Sequence, residues 1–321
     1  MFTDNLTDNF TEGENEAWGR IPGIDAAALL EEYNNPPEVL PSGIPGLDAH
    51  LAGGMVPGVY VVAGMPGGGK SALALQLAAD TAATGRRVLV VTAEMTVGQC
   101  VARVCSHFSK TGASGVKTFK WSDWEHMGKA RDPKGAEAVR HLVEEVPGLK
   151  IVDPSGMESL DELAPMLEDA AKAGVSLVVV DYLQRMPAPS EASDADEYKR
   201  VGAVADFFMD AAKELGLRIL VLTSTGRAAR ASSKALDSTT AGLGSSSIEY
   251  NATATIGLTP GERADNGGRV VRLSVDKARR GIPTSKNRPI ELVFDGAYNT
   301  FTQLMPKVYG WDDTIYLDKE E

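Results

Sequence analysis

Apolar residues in this chain fall into short unbroken runs. Longer stretches separate them, and there apolar positions recur every three or four residues. The runs are Val59–Ala63, 86–94 (RRVLVVTAE), 149–153 (LKIVD), 175–181 (VSLVVVD) and 217–225 (LRILVLTST). Unbroken apolar runs of this length predict strands buried on both faces, as in a parallel sheet. Helical periodicity follows in the stretch with Leu73, Leu75 and Leu77, from Thr96 to Ser109, over 136–146, and over 158–173, where Leu160, Leu163, Leu167 and Ala170 share a face. It returns from Tyr198 to Leu215. After residue 250 the pattern changes to strands at 252–258, 269–276, 289–294 and 300–304. Strand–helix alternation followed by hairpins predicts an α/β fold, with a mostly parallel sheet flanked by helices and extended by C-terminal antiparallel strands.

The stretches between these elements suggest an organisation. Residues 1–20 are polar and acidic and read as a flexible tail. Residues 23–33, GIDAAALLEEY, predict a short helix with Leu29, Leu30 and Tyr33 on its apolar side, stopped by Asn34, Asn35, Pro36 and Pro37. Such a helix docks either on a neighbour or on its own domain. The expected division is an N-terminal segment 1–37, a globular domain 38–305 and a tail 306–321. In the lead-in 40–58, Leu47 and Leu51 fit one helical face that Gly53 and Gly54 end. Residues 110–135 are turn-rich; Ser122 is the expected cap of a helix carrying Trp124 and Met127. Trp121 and Trp124 read as core residues, with base stacking as the other option. Residues 184–197 form a surface loop, and 226–247, rich in Gly, Ala, Ser and Thr, a long one of the kind that carries function.

Composition narrows the class. The net charge of −12 opposes indiscriminate nucleic-acid binding by the whole surface but leaves room for a local basic channel. No apolar run is long enough to span a bilayer, and the acidic N-terminus lacks the basic start of a secretory signal. Cys100 and Cys105 are the only cysteines; they read as core residues of a chain kept in a reducing cytoplasm.

The chemistry centres on VYVVAGMPGGGKSALALQLAA, residues 59–79. This is G-x-x-x-x-G-K-S between a strand and a helix, the context of a phosphate-binding loop. Gly64, Pro66, Gly67, Gly68, Gly69, Lys70, Ser71 and Ala72 are the candidate cradle. Glycines let successive N–H groups turn toward phosphate oxygens, and the helix opening at Lys70 adds its positive end. Lys70 reaches the outer phosphates, and Ser71 offers a hydroxyl to Mg²⁺. Asp181 ends a buried strand; it is either a capping residue or the carboxylate that orients the ion and its water. Glu94 ends another run, and strand C-termini converge on the ligand crevice, so it is the candidate general base. Lys277, Arg279 and Arg280 are either a solvated charge run or, for Lys277 and Arg279, a pair that reaches a neighbouring subunit's γ-phosphate. Their alternate spacing on an extended segment points both the same way.

These motifs resemble the ATPase domain of DnaB-type replicative helicases, within the RecA-like superfamily. GMPGGGKS looks like the family's Walker A, and TAEM (92–95) like the strand ending in its catalytic Glu. VVVDYLQRM (178–186) looks like its Walker B, and VDKARRG (275–281) like its Lys-x-Arg finger. The matches run in order from about residue 40 to 304. The resemblance implies ATP and Mg²⁺ as cofactors, a homo-oligomer, a hexamer in this family, and single-stranded DNA as partner, without naming a loading protein. It also assigns Arg103 to the family's helix arginine. In a ring, the loops after Asp181 and Thr225 would line the channel, with Arg227, Arg230 and Lys234 as candidate DNA contacts. Two departures stand out. Only residues 1–37 precede the ATPase segment, where the family carries a primase-binding helical domain. Ser224 stands where the family has a Gln after its Ser. Both, with the acidic charge, favour the alternative of a KaiC-like or RadA-like module that assembles under ATP control without unwinding.

Overall fold

A strand apolar on both faces can be buried only if helices cover each side, and the buried runs meet that condition here. The computed structural model describes residues 11, 23, 25–112, 120–126, 133–224, 248, 251–264, 267–285 and 288–304. The chain forms two compact units, Met1–Glu38 and Val39–Glu321. Within the first, α1 (Ala26–Asn34) starts one turn later than its periodicity suggests, because Asp25 caps it by accepting from the amides of Ala27 and Ala28 at 3.0 and 3.1 Å. Leu29, Leu30 and Tyr33 are exposed.

Among the described residues the second unit has nine strands: β1 (Gly58–Gly64), β2 (Arg87–Thr92), β3 (Leu149–Val152), β4 (Val175–Asp181), β5 (Arg218–Ser224), β6 (Ala254–Arg263), β7 (Arg269–Ala278), β8 (Ile290–Asp295) and β9 (Thr300–Gln303). They form one sheet in the order β3-β2-β4-β5-β1-β6-β7-β8-β9. Pairing is parallel from β3 through β6 and antiparallel from β6 to β9. Side chains divide with period two. Tyr60, Val62, Val88, Val90, Leu220 and Leu222 face one core, and Val59, Val61, Leu89, Val91, Ile219 and Val221 face the other.

On the first face lie α3 (Lys70–Ala83) and α4 (Val97–Thr111), which supply Leu73, Leu77, Val104 and Phe108. Thr96 and Gln99 close α4's N-terminus as a reciprocal capping box. Cys100 and Cys105 are free and buried there, and burial pushes their thiols up to about 11 and about 12. The opposite face is covered by α7 (Ala164–Lys172) and α8 (Glu197–Glu214). The single helix expected over 158–173 is split: a 3₁₀ turn, Leu160–Leu163, precedes α7. Pro165 explains the break, since it has no amide to donate inside a continuous helix. Leu160, Leu163 and Leu167 are fully buried, so the shared apolar face survives.

The other helices among the described residues are α2 (Pro45–His50), α5 (Trp121–His126) and the longer α6 (Pro133–Glu145). Leu47 and Leu51 are buried, as their spacing predicts. Ser122 does not cap α5; it lies inside a helix that begins at Trp121. Trp121 is half-buried, and its indole N–H donates to the Gly296 carbonyl at 2.6 Å. The loop expected over 184–197 holds most of one 3₁₀ turn, Leu183–Arg185, and all of a second, Ser190–Ala192, gives way to α8 at Glu197, and buries Met186 and Ala192. Strand β6 runs past Pro260, beyond Leu258, the last residue it pairs with β1, so the missing proline donor faces no partner there.

The edge strand β9 is tied to α3. Gln76 donates to the Phe301 carbonyl at 3.0 Å and accepts from its amide at 2.6 Å, in a buried setting. Asn299 donates to the Ala72 carbonyl at 3.2 Å, and His107 bridges Thr300 and Asp80 at 3.0 and 2.8 Å. Gln76→Leu would leave both polar groups of Phe301 buried and unpaired. The expected cost is on the order of 2–4 kcal/mol in urea unfolding, and a cost below about 1 kcal/mol would mean that other bonds hold β9.

Candidate nucleotide-binding site

Parallel pairing brings one row of residues to the C-terminal edge of the sheet. In register, Gly64 of β1 sits beside Ser224 of β5, and Thr92 of β2 beside Asp181 of β4. The Ala93 amide extends that pairing by donating to the Asp181 carbonyl at 2.7 Å. Glu94 therefore stands just past the end of β2, exposed above the crevice. The glycine loop closes from β1 into α3. Gly67 and Gly69 have φ of +72° and +102°, which side-chain-bearing residues rarely adopt, and Gly69 caps α3. A Cβ on Gly68 would lie 2.9 Å from the Met65 carbonyl oxygen.

Lys70, Ser71, Glu94 and Asp181 come together here. The Lys70 Nζ folds back to donate to the Gly64 and Met65 carbonyls at 2.8 and 3.1 Å. The Ser71 hydroxyl donates to Glu94 Oε2 at 3.5 Å, the long end of a hydrogen bond. Asp181 is buried, and its Oδ1 has no hydrogen-bond partner. Burial pushes its pKa up to about 6; Glu94 adds to the rise, while the Ser71 hydroxyl and the charges of Lys70 and Arg103 oppose it. A buried, unsatisfied carboxylate oxygen beside a hydroxyl and a second carboxylate fits the oxygen donor set of a hard divalent cation. Pro66 is exposed at the rim, and Ala72 is buried with its carbonyl taken by Asn299. Arg103 lies in α4 with its guanidinium 4.7 Å from the Trp121 ring centroid and its Nε buried without a partner.

Lys277 and Arg279 are not part of this cluster. Gly64 is level with Leu258 on β6, and Leu258 with Leu273 on β7; Ala278 pairs with Ala254 near the far edge. Five residues of strand separate Leu273 from Ala278, about 17 Å. The Arg279 amide donates to the Thr253 carbonyl at 2.8 Å, at that far edge. Burial and the neighbouring Arg279 charge hold Lys277 below the usual lysine range. Arg227, Arg230 and Lys234 lie outside the described residues.

Motif reading missed two residues. Arg269, at the other end of β7, donates from Nη2 to the Gly67 carbonyl at 3.1 Å. Gln184 donates to the Thr223 hydroxyl at 2.7 Å, linking the segment after Asp181 to β5 beside Ser224. Arg269 carries no local signal, because it meets the loop only through the pairing of β7; Gln184 lies within the VVVDYLQRM stretch, but the residues alone do not show its partner on β5. The Asp181–Tyr182 peptide is cis.

The raised pKa of Asp181 has a testable consequence. Its unfolded value is 3.8 and its folded value about 6, so the native state binds more protons between them and loses stability as pH rises through that window. In nucleotide-free protein, Asp181→Asn should become the more stable form over that window. The gain, on the order of 1–3 kcal/mol, grows from about pH 4 to about pH 6 and then levels. Urea titrations across pH measure it, and a pH-independent difference would contradict it.

The comparisons with known proteins bear on this arrangement. The family model described as the DnaB-like helicase C terminal domain matches residues 39–303. The replicative DNA helicase DnaB of Pasteurella multocida is 27% identical over 295 residues, covering 88% of this chain and 59% of that protein. The chain therefore spans little more than half the length of that relative. The DNA repair protein RadA of Mycobacterium tuberculosis is 52% identical, but over 60 residues only, 18% of this chain and 12% of that protein. Among solved structures, one described as an ATPase domain superposes with a TM-score of 0.71 at 17% identity, covering 89% of this chain and all of that one. A DnaB-like replicative helicase, studied with its interactions with primase, gives 0.70 at 18% identity over 91% of this chain and 70% of that one. At these identities the two structures establish the fold alone, a mostly parallel sheet flanked by helices and extended by C-terminal antiparallel strands. With the family model spanning nearly the whole second unit, the chain belongs to the DnaB-like helicase C-terminal domain family.

Proposed function

We propose that this chain is the motor of an ATP-dependent DNA helicase that moves on single-stranded DNA as a ring. The observation that carries this reading is the division of the charged groups. Lys70, Ser71, Glu94 and Asp181 gather at one sheet edge, while Lys277 and Arg279 stand at the other, out of reach of their own cradle. A site so divided is completed by a second copy. The family's hexamer supplies such a copy, with ATP between subunits. The proposed division is a motor over 38–305 preceded by a segment, 1–37, whose exposed Leu29, Leu30 and Tyr33 latch onto the adjacent subunit.

In this mechanism the amides of Gly67 to Lys70 orient the phosphates, and Lys70 leaves the loop carbonyls for the outer phosphate oxygens. Ser71 and Asp181 would hold Mg²⁺, which supplies charge neutralisation at the phosphates. Glu94 accepts the proton of the attacking water. Arg279 of the adjacent subunit, with Lys277 beside it, neutralises charge that develops in the transition state. Arg103 fits beside the nucleotide from α4. The loops after Asp181 and Thr225, with Arg227, Arg230 and Lys234, are the proposed DNA contacts. The RadA similarity supports a second reading, ATP-controlled assembly on DNA without strand separation.

Strand displacement on a forked duplex separates the two. Wild-type protein should unwind with ATP, whereas assembly without displacement supports the RadA-like reading. Lys70→Ala should abolish hydrolysis and Glu94→Gln should bind ATP yet turn it over at least about a hundredfold more slowly. Near-normal turnover in either would remove that residue from its role.

The shared site has its own test. Arg279→Ala should assemble and bind nucleotide but lose about 10³–10⁵ in turnover. Mixed with Lys70→Ala, it should regain activity, because intact Lys70 then faces intact Arg279 across some interfaces. Labelled co-purification establishes exchange of subunits. Full activity of Arg279→Ala alone would mean that each subunit is a self-contained ATPase.

A further inference from the structure

The phosphate cradle is closed on itself. Lys70 Nζ occupies the Gly64 and Met65 carbonyls, and the Gly68 amide donates to Met65 at 3.0 Å. These bonds join the loop to itself, and a triphosphate has to displace them: Lys70 turns to the outer phosphates and the Gly68 amide to a phosphate oxygen. They cannot hold the crown of the loop in place while the ligand enters.

Arg269 ties the crown to another element. Its Nη2 donates to the Gly67 carbonyl at 3.1 Å from the first residue of β7. The guanidinium carbon lies 5.8 Å from the Phe294 ring centroid; Phe294 stacks on Phe301 with centroids 4.4 Å apart and planes at 18°. Phe301 lies directly under the loop, its Cζ 3.1 Å from where a Cβ on Gly69 would sit. The crown thus has an aromatic floor and a cationic clamp, drawn from β7, β8 and β9.

The peptide geometry explains what the clamp does. In a trans peptide the carbonyl and the following amide point in opposite directions. Holding the Gly67 carbonyl outward therefore turns the Gly68 amide inward, toward the Met65 carbonyl that Lys70 also occupies. Three successive glycines offer no side chain to fix that orientation, and ordering them on binding would subtract from affinity. A hydrogen bond from a charged donor is the stronger kind. Arg269 Nε is buried without a partner, so the side chain is not there to satisfy its own donors.

We propose that Arg269 is a positioning residue for the nucleotide, which it serves by pre-setting the Gly67–Gly68 peptide. This deepens the reading of 64–71 as the ATP cradle and rests on it. The test uses the full chain: titration with a fluorescent ATP analogue, steady-state hydrolysis and nucleotide-free melting, for wild type, Arg269→Ala, Arg269→Lys and Lys70→Ala. Arg269→Ala should weaken Kd about tenfold, about 1.4 kcal/mol, and raise KM in step, with saturated kcat within about twofold of wild type. Arg269→Lys keeps the charge without the planar fork and should recover part of the affinity. Amide exchange over residues 65–69 should quicken in Arg269→Ala. A Kd unchanged in Arg269→Ala overturns the proposal, whether or not melting falls, as does a loss confined to kcat. Should Arg269→Ala fail to fold, Arg269→Lys decides: a weakened Kd with normal melting supports the role, and an unchanged Kd overturns it. Lys70→Ala separates the levels. Wild-type hydrolysis by Lys70→Ala would overturn the cradle itself, whereas an inactive Lys70→Ala beside an unaffected Arg269→Ala removes only the role of Arg269.

Discussion

A parallel sheet has to be covered on both faces, and that constraint sets the rest of this structure. It requires each buried strand to return through a helix, so α3 and α4 lie on one face and α7 and α8 on the other. Such crossovers point every parallel strand the same way. Their C-terminal ends then form one edge, and the residues at or just past them, Gly64, Glu94 and Asp181, share a crevice that nothing in their sequence separation would suggest. Asp181 stands in that edge as a carboxylate at the end of an apolar strand, held protonated up to about 6 by burial.

The antiparallel extension gives the edge a second side. Strand β9 is locked to α3 through Gln76 and Phe301, and Phe301 in turn sits under Gly69. The hairpin is therefore packed against the same loop that the parallel strands create. One strand, β7, carries Arg269 at the cradle and Lys277 at the opposite edge. Its two basic ends thus face different surroundings, one inside this subunit's loop and one away from it.

Much of this was legible in the sequence because it depends on local pattern. The run VSLVVVD is apolar at every position but its second and last, and it forms the buried β4. The Thr96–Gln99 pair and the glycine loop are likewise local chemistry, and both the α4 start and the loop-to-α3 junction lie where the residues indicate. The misreadings have two sources, a distant neighbour in one case and a proline within the segment in the other. Ser122 is inside α5 because Trp121 reaches across to Gly296 and Ala297. The 158–173 helix breaks into a 3₁₀ turn and α7 at Pro165, yet keeps its face because Leu160, Leu163 and Leu167 all meet the same core.

By itself the sequence determined the strand–helix alternation, the phosphate-binding loop and the carboxylates at the ends of the apolar runs. These follow from side-chain period and from glycine's backbone freedom, which act over a few residues. Only the tertiary structure decided that Lys277 and Arg279 stand away from Lys70, that Arg269 clamps Gly67, and that Asp181 keeps an unsatisfied oxygen. Those facts depend on strand register and on burial, and both are set by residues distant along the chain that the packed sheet brings together.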